Sequence, residues 1–305
     1  MKVLKWIAIG IGGLLGVVIL VAAGLLFYGQ IRWKPVLANR PLREITADTS
    51  PAGIARGEYL VRSVAACGDC HGRDPEKGWL AGYSEEVNAG AIQAVITIPN
   101  LTPDVETGLG GWSDAEIARA IREGIDKDGV GLVIMPAFNL RYLSDADVAA
   151  IIGYLRSIEP VYNPMPSFTA NAVAKTMVAL GAFGPSPVGE PILAEQRTPP
   201  VDSPAYGEYL VHIASCRDCH GFDYTGGAVP LAEPGTPPAP NLTRTGQLVG
   251  WSEADFINTL RTGVTPSGRE LNEVMPWKIY GQMDDKDLAA IFRYLQSLPA
   301  PVASQ

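Results

Sequence analysis

The chain opens with a long apolar stretch. No charged residue occurs from Trp6 to Tyr28, and Lys2 and Lys5 precede it. At about 1.5 Å per helical residue, this length crosses the roughly 30 Å hydrocarbon core of a bilayer. A cleavable signal segment usually has only about 7–15 apolar residues, so we expect an uncleaved membrane anchor over residues 1–30. Cleavage near Val21–Gly24 is the alternative interpretation.

Beyond the anchor, apolar residues recur at helical spacing. Ser113 and Glu116 form a capping-box pattern ahead of a helix that should end at Gly124, and Ser144 with Asp147 indicates a second helix start. Further helix starts are predicted at about Ala52, Ala205, Ser252 and Asp284. We recognise no alternating pattern typical of strands, so the predicted fold class is all-α, with three main helices in each half.

The motifs of the first half recur in the second half in the same order, which indicates an internal duplication. The matched segments are Gly57-Glu58-Tyr59-Leu60-Val61 with Gly207-Glu208-Tyr209-Leu210-Val211, Pro99-Asn100-Leu101-Thr102 with Pro240-Asn241-Leu242-Thr243, Gly111-Trp112-Ser113 with Gly250-Trp251-Ser252, Met135-Pro136 with Met275-Pro276, and Tyr154-Leu155 with Tyr294-Leu295. We therefore predict two tandem domains, at residues 50–160 and 205–300.

The two halves differ mainly in length. Cys70 precedes Asn100 by 30 residues, whereas Cys219 precedes Asn241 by 22, so the first half is expected to carry a longer loop. Residues 161–204 form a proline-rich linker, predicted to be stiff and to contain a short helix in its apolar stretch. Packing between the domains and packing against a partner are both open for that stretch.

Candidate chemistry lies in two C-x-x-C-H motifs. The chain has four cysteines and three histidines, and the motifs use Cys67, Cys70 and His71 in the first half and Cys216, Cys219 and His220 in the second half. This spacing is the attachment signature of c-type haem, whose vinyl groups need two thiols and whose iron needs one histidine. We predict two covalently attached haems c, with His71 and His220 as iron ligands. A redox dithiol and a four-cysteine zinc site are the weaker alternatives.

Methionine sulfur is the expected sixth ligand of an electron-transfer haem, because it favours ferrous iron. Met135 and Met275 are the methionines at equivalent positions of the repeat, and each is followed by proline. We predict both as iron ligands, although filling the core is the usual role of methionine. His212, the third histidine, is interpreted as a surface or helix-packing residue.

Both halves resemble class I cytochrome c domains, and the resemblance covers nearly everything outside the anchor and linker. It implies that the carbonyl groups of Pro99 and Pro240 accept a hydrogen bond from the proximal histidine ring, unless these prolines only shape a turn. The Asn-Leu-Thr-Pro, Gly-Gly-Trp-Ser, Arg-Glu-Gly and Met-Pro motifs are more narrowly similar to the cytochrome subunits of bacterial membrane-bound dehydrogenases, which generally carry three haems. Trp112 and Trp251 would line the haem or pack in the core.

A formal net charge of −8 gives no electrostatic support for nucleic-acid binding. The expected function is single-electron transfer through both haems. As a non-catalytic subunit, the chain would connect a dehydrogenase or quinol-oxidising complex with an oxidase, photosynthetic centre or soluble cytochrome. A catalytic dihaem protein, of the peroxidase or thiosulfate dehydrogenase type, is the main alternative, and a haem sensor or assembly factor is another.

The location follows from the anchor and the haems together. Lys2 and Lys5 favour a cytoplasmic N-terminus, and haem c is attached outside the bacterial cytoplasmic membrane. We therefore expect a single-pass protein of that membrane with periplasmic haem domains.

Overall fold

The computed structural model describes residues 2–72, 76–183, 186, 188–230, 232–233 and 235–299. Each predicted segment contains a few residues outside this description. They are residue 1 of the anchor, residues 73–75 of the first domain, residues 184, 185 and 187 of the linker, and residues 231, 234 and 300 of the second domain. The helices are α1 (Lys2–Arg32), α2 (Pro51–Tyr59, continued by a π-helical turn at Leu60–Val64), α3 (Cys67–His71), α4 (Asp114–Glu123), α5 (Ala137–Leu140), α6 (Asp145–Ser157), α7 (Ala172–Ala179), α8 (Pro204–Ile213), α9 (Cys216–His220), α10 (Glu253–Thr262), α11 (Trp277–Tyr280) and α12 (Asp285–Ser297). The strands are β1 (Tyr83–Ala89), β2 (Ile92–Ile98) and β3 (Thr169–Ala170).

The predicted starts of α4, α6 and α10 are confirmed by side-chain caps. Ser113 and Glu116 form both hydrogen bonds of a capping box at the start of α4, and Ser252 with Asp255 does the same for α10. The Ser144 side chain accepts a hydrogen bond from the backbone of Asp147 at the start of α6. These side chains satisfy backbone N–H groups that a helix leaves without intrahelical partners, so the local sequence determines where each helix begins.

Each repeat is built on a close crossing of its first and last long helices. A Cβ atom on Gly57 of α2 would lie 2.0 Å from the Ala150 carbonyl oxygen of α6. At the equivalent crossing of α8 and α12, a Cβ atom on Gly207 would lie 2.2 Å from the Ala290 carbonyl oxygen. Only glycine permits this approach, which explains why the Gly-Glu-Tyr-Leu-Val segment recurs.

The two repeats contact each other through reciprocal tyrosine–aspartate hydrogen bonds. The Tyr59 hydroxyl of the first repeat donates to Asp287 of the second at 2.7 Å. The equivalent Tyr209 of the second repeat donates to Asp147 of the first at 2.5 Å. Each carboxylate has a further partner in its own repeat, since Arg56 donates to Asp147 at 2.9 Å and Tyr206 donates to Asp287 at 3.1 Å. Tyr206, Tyr209 and both aspartates are buried, so each exchanged hydrogen bond is largely shielded from water.

The all-α prediction is wrong, because the longer loop of the first repeat folds into a sheet. Strands β1 and β2 form an antiparallel hairpin in which Ala89 pairs with Ile92 across a two-residue turn, where Gly90 takes a φ of 61°. Strand β3, from the segment between the repeats, pairs with β2 and completes three strands in the order β1-β2-β3. The fold is therefore mixed. Strand β2 is half-buried on both faces over most of its length. Its polar residues Gln93 and Thr97 alternate with apolar residues, but Val95 interrupts this pattern and weakens the strand signal.

The apolar stretch after β3 forms α7, and this helix packs against α1 as well as against the sheet. Helix α1 is long and apolar enough to cross a membrane, and its apolar window is not buried by the rest of the chain. After α1, the backbone of Leu37 donates to the Gly129 carbonyl at 2.6 Å, and that of Gly131 donates to the Pro35 carbonyl at 2.8 Å. These bonds join the exit of α1 to the loop that precedes Met135.

Tyr209→Phe tests the exchanged hydrogen bonds. The variant leaves Asp147 with one partner fewer at a buried position, and a hydrogen bond to a charged group contributes about 1.5–3 kcal/mol. We expect the free energy of unfolding, measured by denaturant titration, to fall by about that amount. The exposed Tyr162→Phe is the matched control and should change it by less than about 0.5 kcal/mol. Equal effects from the two variants would contradict the assignment.

His212 makes the contact between the repeats pH-dependent. Its ring stacks on Tyr142 of the first repeat with centroids 4.0 Å apart, and Glu208 and Arg217 are the charged groups beside it. Burial, reinforced by Arg217, lowers the pKa of His212 from 6.5 to about 4. The unfolded chain therefore binds the proton first, and stability falls as the pH drops from 6.5 towards 4.

His212→Phe keeps an aromatic ring in this stack and removes the titration. Relative to this variant, the unmodified chain should lose about 2–3 kcal/mol of unfolding free energy between pH 7.5 and pH 4.5. Denaturant titrations of both proteins at the two pH values measure the difference. Parallel losses in the two proteins would show that His212 is not the titrating group.

Candidate haem sites

The first C-x-x-C-H motif folds into the short helix α3. Ala66, just before it, takes a left-handed φ of 50°, which turns the chain from the preceding π-helical turn into α3. His71 is 8% exposed, and its ring Nδ1 donates to the Pro99 carbonyl at 2.8 Å. Because Nδ1 is engaged, Nε2 is the ring nitrogen left to bind iron.

The second motif repeats this geometry in α9. Ser215 takes the left-handed φ of 56° before it. His220 is 6% exposed, and its Nδ1 donates to the Pro240 carbonyl at 2.9 Å. The same proline–histidine contact therefore occurs in both repeats.

The proline carbonyls are held by the Asn-Leu-Thr segments that follow them. Asn100 accepts a hydrogen bond from the Thr102 backbone at 2.9 Å, and Asn241 accepts the equivalent bond from Thr243 at 2.7 Å. Asn100 also donates to the Val161 carbonyl at 2.7 Å, which ties the loop to the end of the repeat. These asparagines were not predicted as site residues, although their recurrence beside both prolines is a signal that could have identified them.

Burial controls the ionisation of the histidines and cysteines. It lowers the pKa of His71 to about 4 and lowers that of His220 too, so both imidazoles are neutral and can bind metal at neutral pH. Burial also raises the pKa of Cys67 and Cys216 to about 12, which keeps both as thiols. None of the four cysteines forms a disulfide.

The donor set of each repeat fits a covalently attached haem. A single short helix carries two cysteines that are not bridged to each other and one buried histidine. The Nδ1 atom of that histidine is held by a proline carbonyl. Among the described residues, no group of three or more His, Cys, Asp or Glu side chains lies together to hold a metal ion. A shared four-cysteine zinc site therefore has no support within that part of the chain.

Met135 and Met275 occupy equivalent backbone positions. Pro136 and Pro276, which follow them, have φ of −78° and ψ of 47° and 50°, and they begin α5 and α11. Both methionines are half-buried and pack against the core, as Trp112 and Trp251 do. Met283 differs, because it is 1% exposed and belongs to the core itself.

The two candidate sites are joined by direct hydrogen bonds. Asn139, four residues after Met135, donates to Asp218 at 2.7 Å, and Asp218 lies between Cys216 and Cys219. Arg217 donates to the Phe138 carbonyl at 2.5 Å and also to Asn139. The bridging residues gave no sequence signal, because Ile279 replaces Asn139 and Gly68 replaces Arg217 in the equivalent positions.

A cavity of about 820 Å³ lies beside this bridge. Met135 and Phe138 of the first repeat and Cys219 of the second repeat line one part of it. The rest is lined mainly by apolar residues of the sheet, α7 and the end of α1. Parts of both candidate sites and the exit of the anchor therefore border one space.

Curated relatives include cytochrome subunits of dehydrogenases. The cytochrome c component of the quinone alcohol dehydrogenase of Gluconobacter oxydans is 27% identical over 83% of this chain and 56% of its own length. The cytochrome c component of the gluconate 2-dehydrogenase of Pantoea cypripedii is 29% identical over 83% of this chain and 61% of its own length. A diheme cytochrome c-type protein of Cereibacter sphaeroides is 26% identical over 94% of this chain and 97% of its own length.

The chain thus spans somewhat more than half of each of the two dehydrogenase relatives. The family model described as cytochrome c oxidase, cbb3-type, subunit III matches residues 52–155 and again residues 203–295. The two matches enclose both C-x-x-C-H motifs and both Met-Pro segments and confirm the resemblance to cytochrome c. Since they cover more than half of its length, the chain belongs to this family of cytochrome c proteins.

Proposed function

We propose that the chain binds two haems c and carries single electrons between a dehydrogenase and a further acceptor. Residues 50–160 and 205–300 form the two haem domains, and residues 161–204 link them. Cys67, Cys70 and His71 hold the first haem with Met135 as the sixth ligand, and the second is held in the same way by the residues Cys216, Cys219, His220 and Met275. Haem iron supplies reversible one-electron chemistry.

The observation that carries this proposal is the direct bridge between the two sites. Asn139 lies in α5, four residues after the proposed ligand Met135. Its partner Asp218 lies between the two attachment cysteines of the other site. Burial raises the pKa of Asp218, while Asn139 and Arg217 oppose that rise. A partly buried hydrogen bond between the two sites would keep two bound haems close to each other, and a short distance favours electron transfer between them.

The chain's own residues prepare each site for electron transfer. The Pro99 and Pro240 carbonyls orient the histidine rings through Nδ1, and a bonded Nδ1–H makes the other nitrogen a stronger iron ligand. Burial of both rings lowers the polarity around the iron, and a thioether ligand raises the reduction potential. Such sites exchange electrons without binding substrate at the metal, so the chain acts as the electron-carrying subunit of an oxidoreductase complex.

The relatives support a dehydrogenase as electron donor, since two of them are named as cytochrome c subunits of dehydrogenases. A quinol-oxidising complex is the other donor we propose. An oxidase, a photosynthetic centre or a soluble cytochrome would accept the electrons. Helix α1 remains uncleaved in this proposal and anchors the chain in the bacterial cytoplasmic membrane, with both haem domains on the periplasmic side.

Met135→Leu and Met275→Leu test the proposed ligands. Methionine bound to ferric haem gives a weak absorption band near the far red, and each variant should remove about half of it because each haem contributes one iron–sulfur bond. Met283→Leu is the matched control, since Met283 is a buried methionine of the core. It should leave the band unchanged. An undiminished band in either ligand variant would exclude that methionine.

Co-purification in mild detergent tests the proposed partner. The haem-loaded chain should be isolated with a dehydrogenase, and that enzyme's substrate should reduce both haems under anaerobic conditions, as followed in the visible absorption spectrum. Cys216→Ala/Cys219→Ala removes the second attachment site and serves as the comparison, with about half of the haem signal. Isolation of the intact dihaem chain without a dehydrogenase, or a complex whose substrate leaves the haems oxidised, would contradict the proposal.

A further inference from the structure

The segment between the repeats meets α1 near the end of its apolar stretch. The Thr176 hydroxyl of α7 donates to the Ala172 carbonyl at 2.8 Å, and its Oγ1 atom lies 3.4 Å from the Leu25 carbonyl oxygen of α1. A Cβ atom on Gly29 would lie 2.4 Å from the same Oγ1 atom. Glycine thus allows α7 to approach the anchor closely, as small residues do between membrane helices. The contact fixes the level of α7 along α1.

This level corresponds to the outer edge of the bilayer. About 20 residues span the hydrocarbon core, so an apolar stretch that begins at Trp6 leaves it near Leu25. Arg32, Trp33 and Lys34 follow within the next nine residues, and this combination of aromatic and basic side chains is typical of the interface with water. Helix α7, which contacts residues 25–29, therefore lies at the boundary between acyl chains and headgroups.

The polar side chains of α7 contact α1 and the residues just after it. Lys175 donates to the Gln30 side chain at 3.0 Å, and its Nζ lies 4.9 Å from the centre of the Trp33 ring. Thr176 is buried against α1, and Ala174 is buried too. From 172 to 183 the sequence contains no acidic residue and only one charge, that of Lys175.

The remaining face of this segment is apolar and exposed. Val173 and Leu180 are seven residues apart and so lie on one side of the helix. Leu180 is 58% exposed and Val173 is 37% exposed. Phe183, in the turn after the helix, lines the cavity beside Met135 instead. Phe27 and Ile31 of α1 are also exposed at the same level, so the apolar surface of the anchor continues onto this segment.

We propose that residues 172–183 lie in the outer leaflet of the membrane as a second, interfacial attachment, with Val173 and Leu180 against lipid acyl chains. Lys175, whose ammonium group lies over the Trp33 ring, is the charge that this segment brings to the level of the phosphate headgroups. The two contacts prevent the haem domains from swinging about a single helix, because α7 is joined to the sheet as well as to α1. This inference rests on the proposed uncleaved anchor.

Photocrosslinking in vesicles tests the inference on the full haem-loaded chain. A benzophenone amino acid replaces Leu180 in one variant, Leu20 of α1 in a second, and Val249 of the second repeat in a third. Val249 is the matched control, because it is 60% exposed, close to the 58% of Leu180. The chain is reconstituted in vesicles of phosphatidylethanolamine and phosphatidylglycerol, and lipid adducts are counted by mass spectrometry after haem absorbance has verified each variant.

We expect positions 180 and 20 to give similar yields of lipid adduct, both at least about tenfold above position 249. Adducts at position 20 but not at 180 would overturn the interfacial attachment and leave the anchor intact. Failure at both positions would overturn the membrane anchor as well. Crosslinks between two chains at position 180, or equal lipid adducts at 180 and 249, would also overturn the inference. The same label at the position of Val173 repeats the test on the other end of α7.

Discussion

The hydrogen bond from a buried histidine Nδ1 to a proline carbonyl is the contact on which the rest of each repeat depends. A buried imidazole without this partner would be free to turn and to present either nitrogen. The carbonyl is itself placed by the Asn-Leu-Thr turn after Pro99, and Asn100 connects that turn to Val161 beyond the last helix. The His71 carbonyl accepts a hydrogen bond from the Gly82 backbone, which closes the loop on the other side. The orientation of one ring is thus determined by segments from across the repeat.

Some contacts between the repeats are symmetric and others are not. The symmetric contacts hold the two repeats together, and the asymmetric one connects the two candidate sites. The tyrosine–aspartate bonds are exchanged equally, because Tyr59 and Tyr209 occupy equivalent positions. The Asn139–Asp218 bridge exists in one direction only. Where its counterpart would lie, Gly68 permits the Trp79 ring to pack against the first haem motif. A duplicated pair would hold together with the symmetric bonds alone, so the one-sided bridge gives the two proposed haem sites different surroundings.

Local signals predicted the parts of the fold that local chemistry controls. The Ser113 and Ser252 caps determine helix starts through their own side chains. Each C-x-x-C-H motif places two cysteines and a histidine on one short helix of five residues. Strand β2 carries a partial local signal that went unrecognised, since Gln93 and Thr97 alternate with apolar residues and only Val95 interrupts the pattern. Its pairing with β3, about 75 residues further along the chain, has no local signal. The bridge at Asn139 depends on how the two repeats dock. A comparison of the two repeat sequences does not indicate it.

The departures from symmetry cluster on the side of the first repeat that faces the anchor. The hairpin, β3 and α7 have no counterpart among the described residues of the second repeat, and they line the cavity between α1 and the Met135 loop. The backbone bonds of Pro35 and Leu37 to the 129–131 segment make that loop continuous with the end of the anchor. A change in the tilt of α1 would therefore move the proposed ligand Met135 and, through Asn139, the second haem motif. Helix α1 in this arrangement is connected to both candidate sites, so the two sites and the N-terminal helix form one unit.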